Sequence, residues 1–576
     1  MSSTLIVKRD VDIPMRDGVV LKADLYLPHV GKNLPVLLQR TPYGKGFSAT
    51  SFALWAADSG YAVLIQDARG RWASGGDGTP FITELNDGYD TLEWISEQPW
   101  SNRNIGMWGE SYLGYTQLAA AASGHPNLKT IIPGFAFSDP RAILYQGGAF
   151  ALGAALSWGL LAQAHMALLR LSESGLLGGS EAASLGNQLI EAIDGMHEGK
   201  TFQSLPLEEA PLIGCQGIVP FLAEALSHPP QDDFWNSITV SLKDISIPVL
   251  HIGGWYDIFL SSTLDMYEGL FSRGSSYQKL LVGPWTHADY DGLAGEIDFG
   301  LSAYAMTILP DEIQMGWFDH WLKQEDAGLL EESPVQVFVM GENRWRKINE
   351  WPPSNIRYLP YYLHSQGSAN SLHGDGSLSM VPPAEEQHDT FTYDPYDPVP
   401  TRGGGLCCWR AALSPGAYDQ RSVEERTDVL VYTTPPLERD LEVIGPLRVH
   451  LWAASSAPDT DFTAKLVDVR PDGYARNLQD GIIRAAYRDG SASSYLKPDE
   501  PYEFLIELGA TANRFKAGHC LRLEISSGNF PRFARNPNTG EPPGKATDLR
   551  PARQSVFHDA RHPSRILLPV SSTDSP

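Results

Sequence analysis

The sequence predicts an α/β fold with a doubly wound parallel sheet, an all-helical insertion and a C-terminal all-β domain. Three observations lead there. Continuous apolar runs at 35–39, 61–67, 105–108, 130–135 and 248–257 alternate with helical patterns, the rhythm of a parallel sheet covered on both faces. Between about Arg141 and Asn236 the alternation stops, and Ala- and Leu-rich segments follow one another with no strand pattern between them. Beyond about Trp351 the segments become short and alternating, separated by Gly, Pro and Asp. The expected divisions are 1–140 with 241–350 for the core, 141–240 for a helical cap, and 351–576 for a jelly-roll β-sandwich.

In chain order, Val11 to Pro28 reads as a hairpin turning at Arg16-Asp17-Gly18. The run at 35–39 suits a central strand and ends in Arg40-Thr-Pro-Tyr43. A helix over Ser51 to Ser59 stops at Gly60, and the strand Tyr61 to Asp67 runs into the glycine-rich Arg69-Gly-Arg-Trp-Ala-Ser-Gly-Gly76. A helix over Asp87 to Glu97 precedes the strand Ile105 to Trp108. Past the insertion, which Pro229-Pro230 closes, the strand at 248–257 ends in Asp257, a helix spans about Ser262 to Ser272, and Lys279 to His287 is the next strand. In the β region, Tyr358 to His364, Asp428 to Thr433, Leu447 to Ala453, Asp461 to Val469, Tyr502 to Leu508 and His519 to Ser526 read as strands, and Ser571 to Pro576 as a frayed end.

At 576 residues, two or three cores are expected. The formal net charge of −25, without a basic run, argues against nucleic acid or an anionic membrane as partner. The N-terminus lacks a signal-like apolar core, and no stretch reads as a membrane span, the nearest being Gly147 to Leu161. Four cysteines are too few for a disulfide scaffold, and adjacent Cys407 and Cys408 have poor geometry for an ordinary bridge. Buried, reduced thiols and a cytoplasmic location are the expectation.

The chemistry centres on Gly109-Glu-Ser-Tyr-Leu-Gly114. A serine on a sharp strand-to-helix turn flanked by glycines is the nucleophile elbow of α/β-hydrolases, although here the second glycine stands one place later than in G-x-S-x-G. The turn exposes the Ser111 hydroxyl and sets the Tyr112 N–H at a helix N-terminus, beside a developing oxyanion. Acyl transfer needs a base and a carboxylate to orient it, in the order Ser, acid, His. Asp257 and His287 supply that order at two strand ends. Asp139 competes as the acid and His251 as the base; His251 lies inside a strand, where a hydrogen-bonded core residue is expected. No Cys/His/carboxylate spacing suggests a metal, no cofactor is called for, and chelators should leave activity unchanged.

Arg40-Thr-Pro-Tyr43, Gln66-Asp-Ala-Arg-Gly-Arg71, Gly109 to Gly114, Gly254-Trp-Tyr-Asp257 and Gly283-Pro-Trp-Thr-His287 together resemble the cocaine-esterase family, relatives of the X-Pro dipeptidyl peptidases and α-amino-acid ester hydrolases. Asp461 to Val469 and Ser526-Ser-Gly-Asn-Phe-Pro-Arg532 resemble that family's C-terminal jelly roll. The resemblance implies Ser111 as nucleophile, His287 as proton shuttle, Asp257 as its orienter, and an oxyanion hole of the Tyr112 N–H and the Tyr43 hydroxyl. It also implies a homodimer. Glu110 departs from the small apolar residue of the nearest relatives; it either pairs with an Arg or biases the substrate. Leu113 is not the acidic elbow residue of the amino-ester branch. Trp158, Trp285, Phe259 and Tyr112 are candidate acyl-pocket walls, favouring bulky or aromatic acyl groups. A serine carboxylesterase acting on small-molecule esters is expected, ahead of an amidase, acylase or X-Pro dipeptidyl peptidase, and ahead of an inactive hydrolase-fold binding protein.

Overall fold

The computed structural model describes residues 5–571 apart from 30, 49, 211, 214–217, 275, 326–327, 409–412, 491–493 and 542–543. The residues beyond Ser571 expected to fray, and Cys215, lie outside the described residues. The N-terminal half is built on strands β1 (Leu5–Pro14), β2 (Val20–Pro28), β3 (Leu34–Thr41), β4 (Ala62–Asp67), β5 (Ser101–Glu110) and β6 (Leu128–Gly134). A small hairpin, β7 (Tyr145–Gln146) and β8 (Ala149–Phe150), follows; then come β9 (Val249–Tyr256), β10 (Gln278–Thr286), a second small pair β11 (Leu293–Ala294) and β12 (Ile297–Asp298), β13 (Val335–Val339) and β14 (Arg344–Ile348). Among the described residues, ten of these form one sheet in the order β1-β2-β4-β3-β5-β6-β9-β10-β13-β14.

The strands from β4 to β13 in that order pair in parallel, while β1, β2 and β14 run antiparallel at the two edges. Alternation sorts the central side chains to opposite faces: Val36 and Leu38 join one apolar cluster and Leu37 the other. This two-sided burial is why the central strands read as unbroken apolar runs. Helices α1 (Ser51–Asp58), α2 (Glu84–Glu97) and α3 (Tyr112–Ala122) cover the sheet.

Between β6 and β9 the chain is mainly helical, with runs over Leu152–Glu173, Gly179–His197 and Pro220–Ser227. The β7–β8 hairpin at its root departs from the all-helical expectation. The run Leu152–Glu173 also departs from the expectation that no segment is apolar enough to span a membrane. It is 22 residues long, with a mean hydropathy of 1.4 in its most apolar stretch, and 61% of that stretch is buried inside the fold.

The C-terminal half is β-rich, with eleven hydrogen-bonded strands among the described residues. Leu441–Ser455 pairs antiparallel with Tyr502–Phe515 along nearly its whole length. Ala475–Arg484 and Ala552–Phe557 do not read as strands from the sequence because polar or charged side chains break their alternation; Arg565–Ser571 is an apolar run interrupted by Pro569, and it extends to Ser571, a residue expected to fray. This half braces the core. Gln479 Nε2 donates to the Trp255 carbonyl at 2.7 Å and the Tyr256 hydroxyl donates to the Asn477 carbonyl at 3.1 Å, fixing the end of β9 just before Asp257.

Candidate active site

Ser111 sits between β5 and α3 with φ +61° and ψ −124°, an uncommon backbone conformation for a residue with a side chain. The surroundings enforce it. The Ser111 N–H donates to the Gly134 carbonyl at 2.9 Å, and the Gln117 amide bridges the Gly109 carbonyl and the Ile132 N–H, each at 2.9 Å. A Cβ at Gly109 would lie 2.7 Å from the Leu113 Cβ, and one at Gly114 would lie 2.4 Å from the Ala136 Cβ. Both elbow glycines are therefore steric requirements of the turn.

Asp257 follows β9 and His287 follows β10, so two neighbouring parallel strands deliver them to the same carboxyl end of the sheet as Ser111. His287 Nε2 stands 3.0 Å from Ser111 Oγ, and His287 Nδ1 stands 2.7 Å from Asp257 Oδ1. The carboxylate accepts from Nδ1–H, which leaves Nε2 free to accept a proton from the hydroxyl. The rings of Phe259 and Phe135 meet the imidazole edge-on, with centroids 5.2 and 6.2 Å away, and restrict its rotation. Asp139 pairs with Arg141 and takes no part in this chain of contacts. His251 is buried at 3.0 Å from Gln278 Oε1, and burial pushes its pKa down to about 4.

The Tyr43 hydroxyl lies within hydrogen-bonding reach of Ser111 and accepts the Trp158 indole N–H at 3.1 Å. Burial raises its pKa, which keeps it a neutral donor. The ring of Tyr112 does not line the cavity. Its hydroxyl donates to Glu84 Oε1 at 2.8 Å and accepts the Phe81 N–H at 3.0 Å, while Glu84 pairs with buried Arg40 at 2.8 Å. Arg40 of the Arg-Thr-Pro-Tyr stretch thus serves to anchor the start of α3.

A cavity of about 380 Å³ opens over Ser111 and His287, walled by Tyr43, Glu110, Leu113, Trp158, Leu161 and Ala162, with Cys408 at its edge. Of the aromatic residues expected to line it, Trp158 does. Trp285 is fully buried, donating to the Ala303 carbonyl at 2.8 Å, because β10 turns it into the core beneath Gly254 and Gly283. Phe259 packs behind His287 and Phe137 instead of facing the cavity. Leu161 and Ala162 were not anticipated; a helix contact to a remote strand end has no local sequence signal. Glu110 is half-buried and meets the Tyr290 hydroxyl, which donates to Oε1 at 3.3 Å; no Arg pairs with it among the described residues, and burial raises its pKa. Cys407 and Cys408 correct a further expectation, since their sulfurs are joined as a disulfide; Cys520 is a free thiol. Among the described residues, no three His, Cys, Asp or Glu side chains gather as a metal site would.

A nucleophile elbow on a parallel sheet, hydrogen-bonded through an imidazole to a carboxylate, defines the class of serine hydrolases built on an α/β core. Within that class, the model of the X-Pro dipeptidyl-peptidase (S15) family matches residues 17–289, and that of the X-Pro dipeptidyl-peptidase C-terminal non-catalytic domain matches 328–567. The cocaine esterase of Rhodococcus sp. (strain MB1 Bresler) is 38% identical over 98% of this chain and 98% of its own. The chain belongs to this family, in its cocaine-esterase-like group. Among solved structures, an aminopeptidase from a marine sediment archaeon (Thaumarchaeota archaeon) superposes with a TM-score of 0.79 at 26% identity, covering 99% of this chain and 96% of that one. An α-amino-acid ester hydrolase gives 0.78 at 25%, covering 99% and 97%. The protein is accordingly an ester hydrolase of the S15 family, with small esters or peptides as its class of substrate.

Proposed function

We propose that this protein is a serine carboxylesterase acting on esters of bulky or aromatic acids through an acyl-enzyme. The observation that carries this reading is the series Asp257 Oδ1, His287 and Ser111 Oγ, at 2.7 and 3.0 Å. Ser111 Oγ attacks the ester carbonyl as its proton passes to His287 Nε2. The oxyanion is held by the Tyr112 N–H and the Tyr43 O–H, and the alkoxide leaves with the proton from His287. Water then repeats the sequence on the acyl-enzyme. The predominantly apolar cavity beside Trp158 and Leu161 suits a large acyl group.

In this reading the insertion 141–240 acts as the cap, the core spans 1–140 and 241–350, and 351–576 forms the jelly roll. The protein works in the cytoplasm as a homodimer, without membrane or nucleic-acid partners. Parallel assays with an aryl ester and an X-Pro anilide test the activity. Ester turnover should be the faster; faster anilide turnover makes it a peptidase. Failure of a fluorophosphonate to label Ser111 would point to an inactive binding protein.

A further inference from the structure

The glycine-rich loop after β4 and the helical run Leu152–Glu173 enclose a second cavity, of about 710 Å³. Two guanidinium groups line it. Arg71 is 7% exposed and donates Nη2–H to the Gly78 carbonyl at 2.9 Å. Arg170 donates Nη1–H to the Gly76 carbonyl at 3.1 Å and Nη2–H to the Ser74 carbonyl, while its buried Nε has no partner among the described residues. Gln163, 2% exposed, also lines the cavity and carries an amide N–H₂ donor. Backbone carbonyls satisfy some of these N–H groups but neutralise no charge. Among the described residues, neither Arg forms an ion pair; the carboxylates lining the cavity, Asp77 and Glu173, are solvent-exposed. Arg71 is buried and Arg170 half-buried; burial is the largest influence and pulls both down from the ordinary arginine range, opposed at longer range by Glu84 at Arg71 and by Glu173 and Asp67 at Arg170. A guanidinium partly withdrawn from water with no carboxylate in contact carries a cost. An anion entering the cavity removes that cost. The remaining walls include Trp72, Leu171, Leu176 and Ile218, so the anion carries an apolar body.

The two cavities are walled by one helical run. Trp158, Leu161 and Ala162 wall the cavity over Ser111, and Gln163, Ala167 and Arg170 of the same helical run wall the second. We propose that the second cavity is a carboxylate-binding subsite, receiving the free carboxylate of an acyl chain whose ester carbonyl lies at Ser111. This rests on the serine-esterase reading and narrows it to monoesters of dicarboxylic acids or of similar acidic acyl groups. In a protein of net charge −25, such a substrate needs a local cationic site to compensate the overall repulsion.

The test uses mono-4-nitrophenyl esters of the C4 to C12 dicarboxylic acids beside their methyl-capped neutral counterparts. At one chain length the anionic ester should have at least a tenfold higher kcat/KM than its capped partner, and Arg170→Gln should abolish that preference. No preference at any length, or one that survives Arg170→Gln, overturns the assignment. Binding provides a readout independent of turnover. By calorimetry, octanoate should bind Ser111→Ala at least tenfold more tightly than octanamide does, and adding Arg170→Gln should erase the difference; equal binding of the two in Ser111→Ala overturns the site. Arg71→Gln gives a second variant, with circular dichroism to check that each is folded. Loss of activity on every neutral ester in the wild type would count against the esterase reading itself, leaving octanoate binding to judge the cavity.

Discussion

The Trp158 indole donates its N–H to the Tyr43 hydroxyl at 3.1 Å, joining the helical insertion to the proposed oxyanion donor. An indole can only donate. The phenol oxygen must accept from it, which turns the phenol's own proton away from Trp158, toward the cavity and Ser111. In the proposed mechanism, the insertion thereby sets the direction of the hydrogen bond to the oxyanion. Tyr43→Phe should lower kcat by roughly 10²–10³. Trp158→Phe keeps an aromatic wall but frees the phenol rotor, and should cost about tenfold, the worth of one hydrogen bond. Steady-state kinetics on a neutral aryl ester measures both. An equal loss in the two variants would mean that Trp158 acts through the shape of the pocket.

Removing the proposed nucleophile is the more severe test. Ser111→Ala should reduce kcat on the order of 10⁶-fold, leaving what binding and the oxyanion donors contribute. Asp257→Asn keeps the contact with His287 Nδ1 but favours the wrong imidazole tautomer, and should cost about 10⁴. Asp139→Asn should remain close to wild type, since Asp139 is engaged with Arg141. Single-turnover kinetics checks all three, and a severe loss in Asp139→Asn would make that residue the acid.

Cavity shape should govern acyl preference. Leu161 faces the space above Ser111, so Leu161→Trp fills part of a cavity of about 380 Å³. The kcat/KM for a benzoyl ester should drop about tenfold or more, while an acetyl ester changes little, because the lost contacts lie beyond the reacting carbonyl. A parallel loss for both esters would indicate displacement of the elbow.

The central strands and the Ser111, Asp257 and His287 series were legible because each is a local pattern with strict physical demands. The elbow requires Gly109 and Gly114, and the carboxyl ends of parallel strands lie at one end of the sheet. The pocket was far less legible. Trp285 stands two residues before His287, but strand alternation directs it into the core, whereas Leu161 and Ala162 reach the site only through tertiary packing. Tyr112 misled for a related reason. Its backbone faces the site while its ring is drawn into the buried network of Glu84 and Arg40. The Cys407–Cys408 bond was discounted because adjacent cysteines rarely satisfy ordinary disulfide geometry.

Acid stability should report on His251. In the fold it is fully buried, its one polar side-chain partner among the described residues is Gln278, and burial lowers its pKa from 6.5 to about 4. The unfolded chain therefore binds a proton between these values that the native protein does not. Stability is lost as the pH falls from about 6.5 toward 4, and regained as it rises. At ~1.4 kcal/mol per pH unit, this one group removes roughly 3 kcal/mol across that window. His251→Gln retains a neutral hydrogen-bonding side chain facing Gln278 and has no proton to gain. Its unfolding free energy, measured by denaturant titration at pH 7 and at pH 4, should fall by about 3 kcal/mol less than that of the wild type. Equal falls in the two proteins would mean that His251 is protonated in the folded state and finds a counter-charge there.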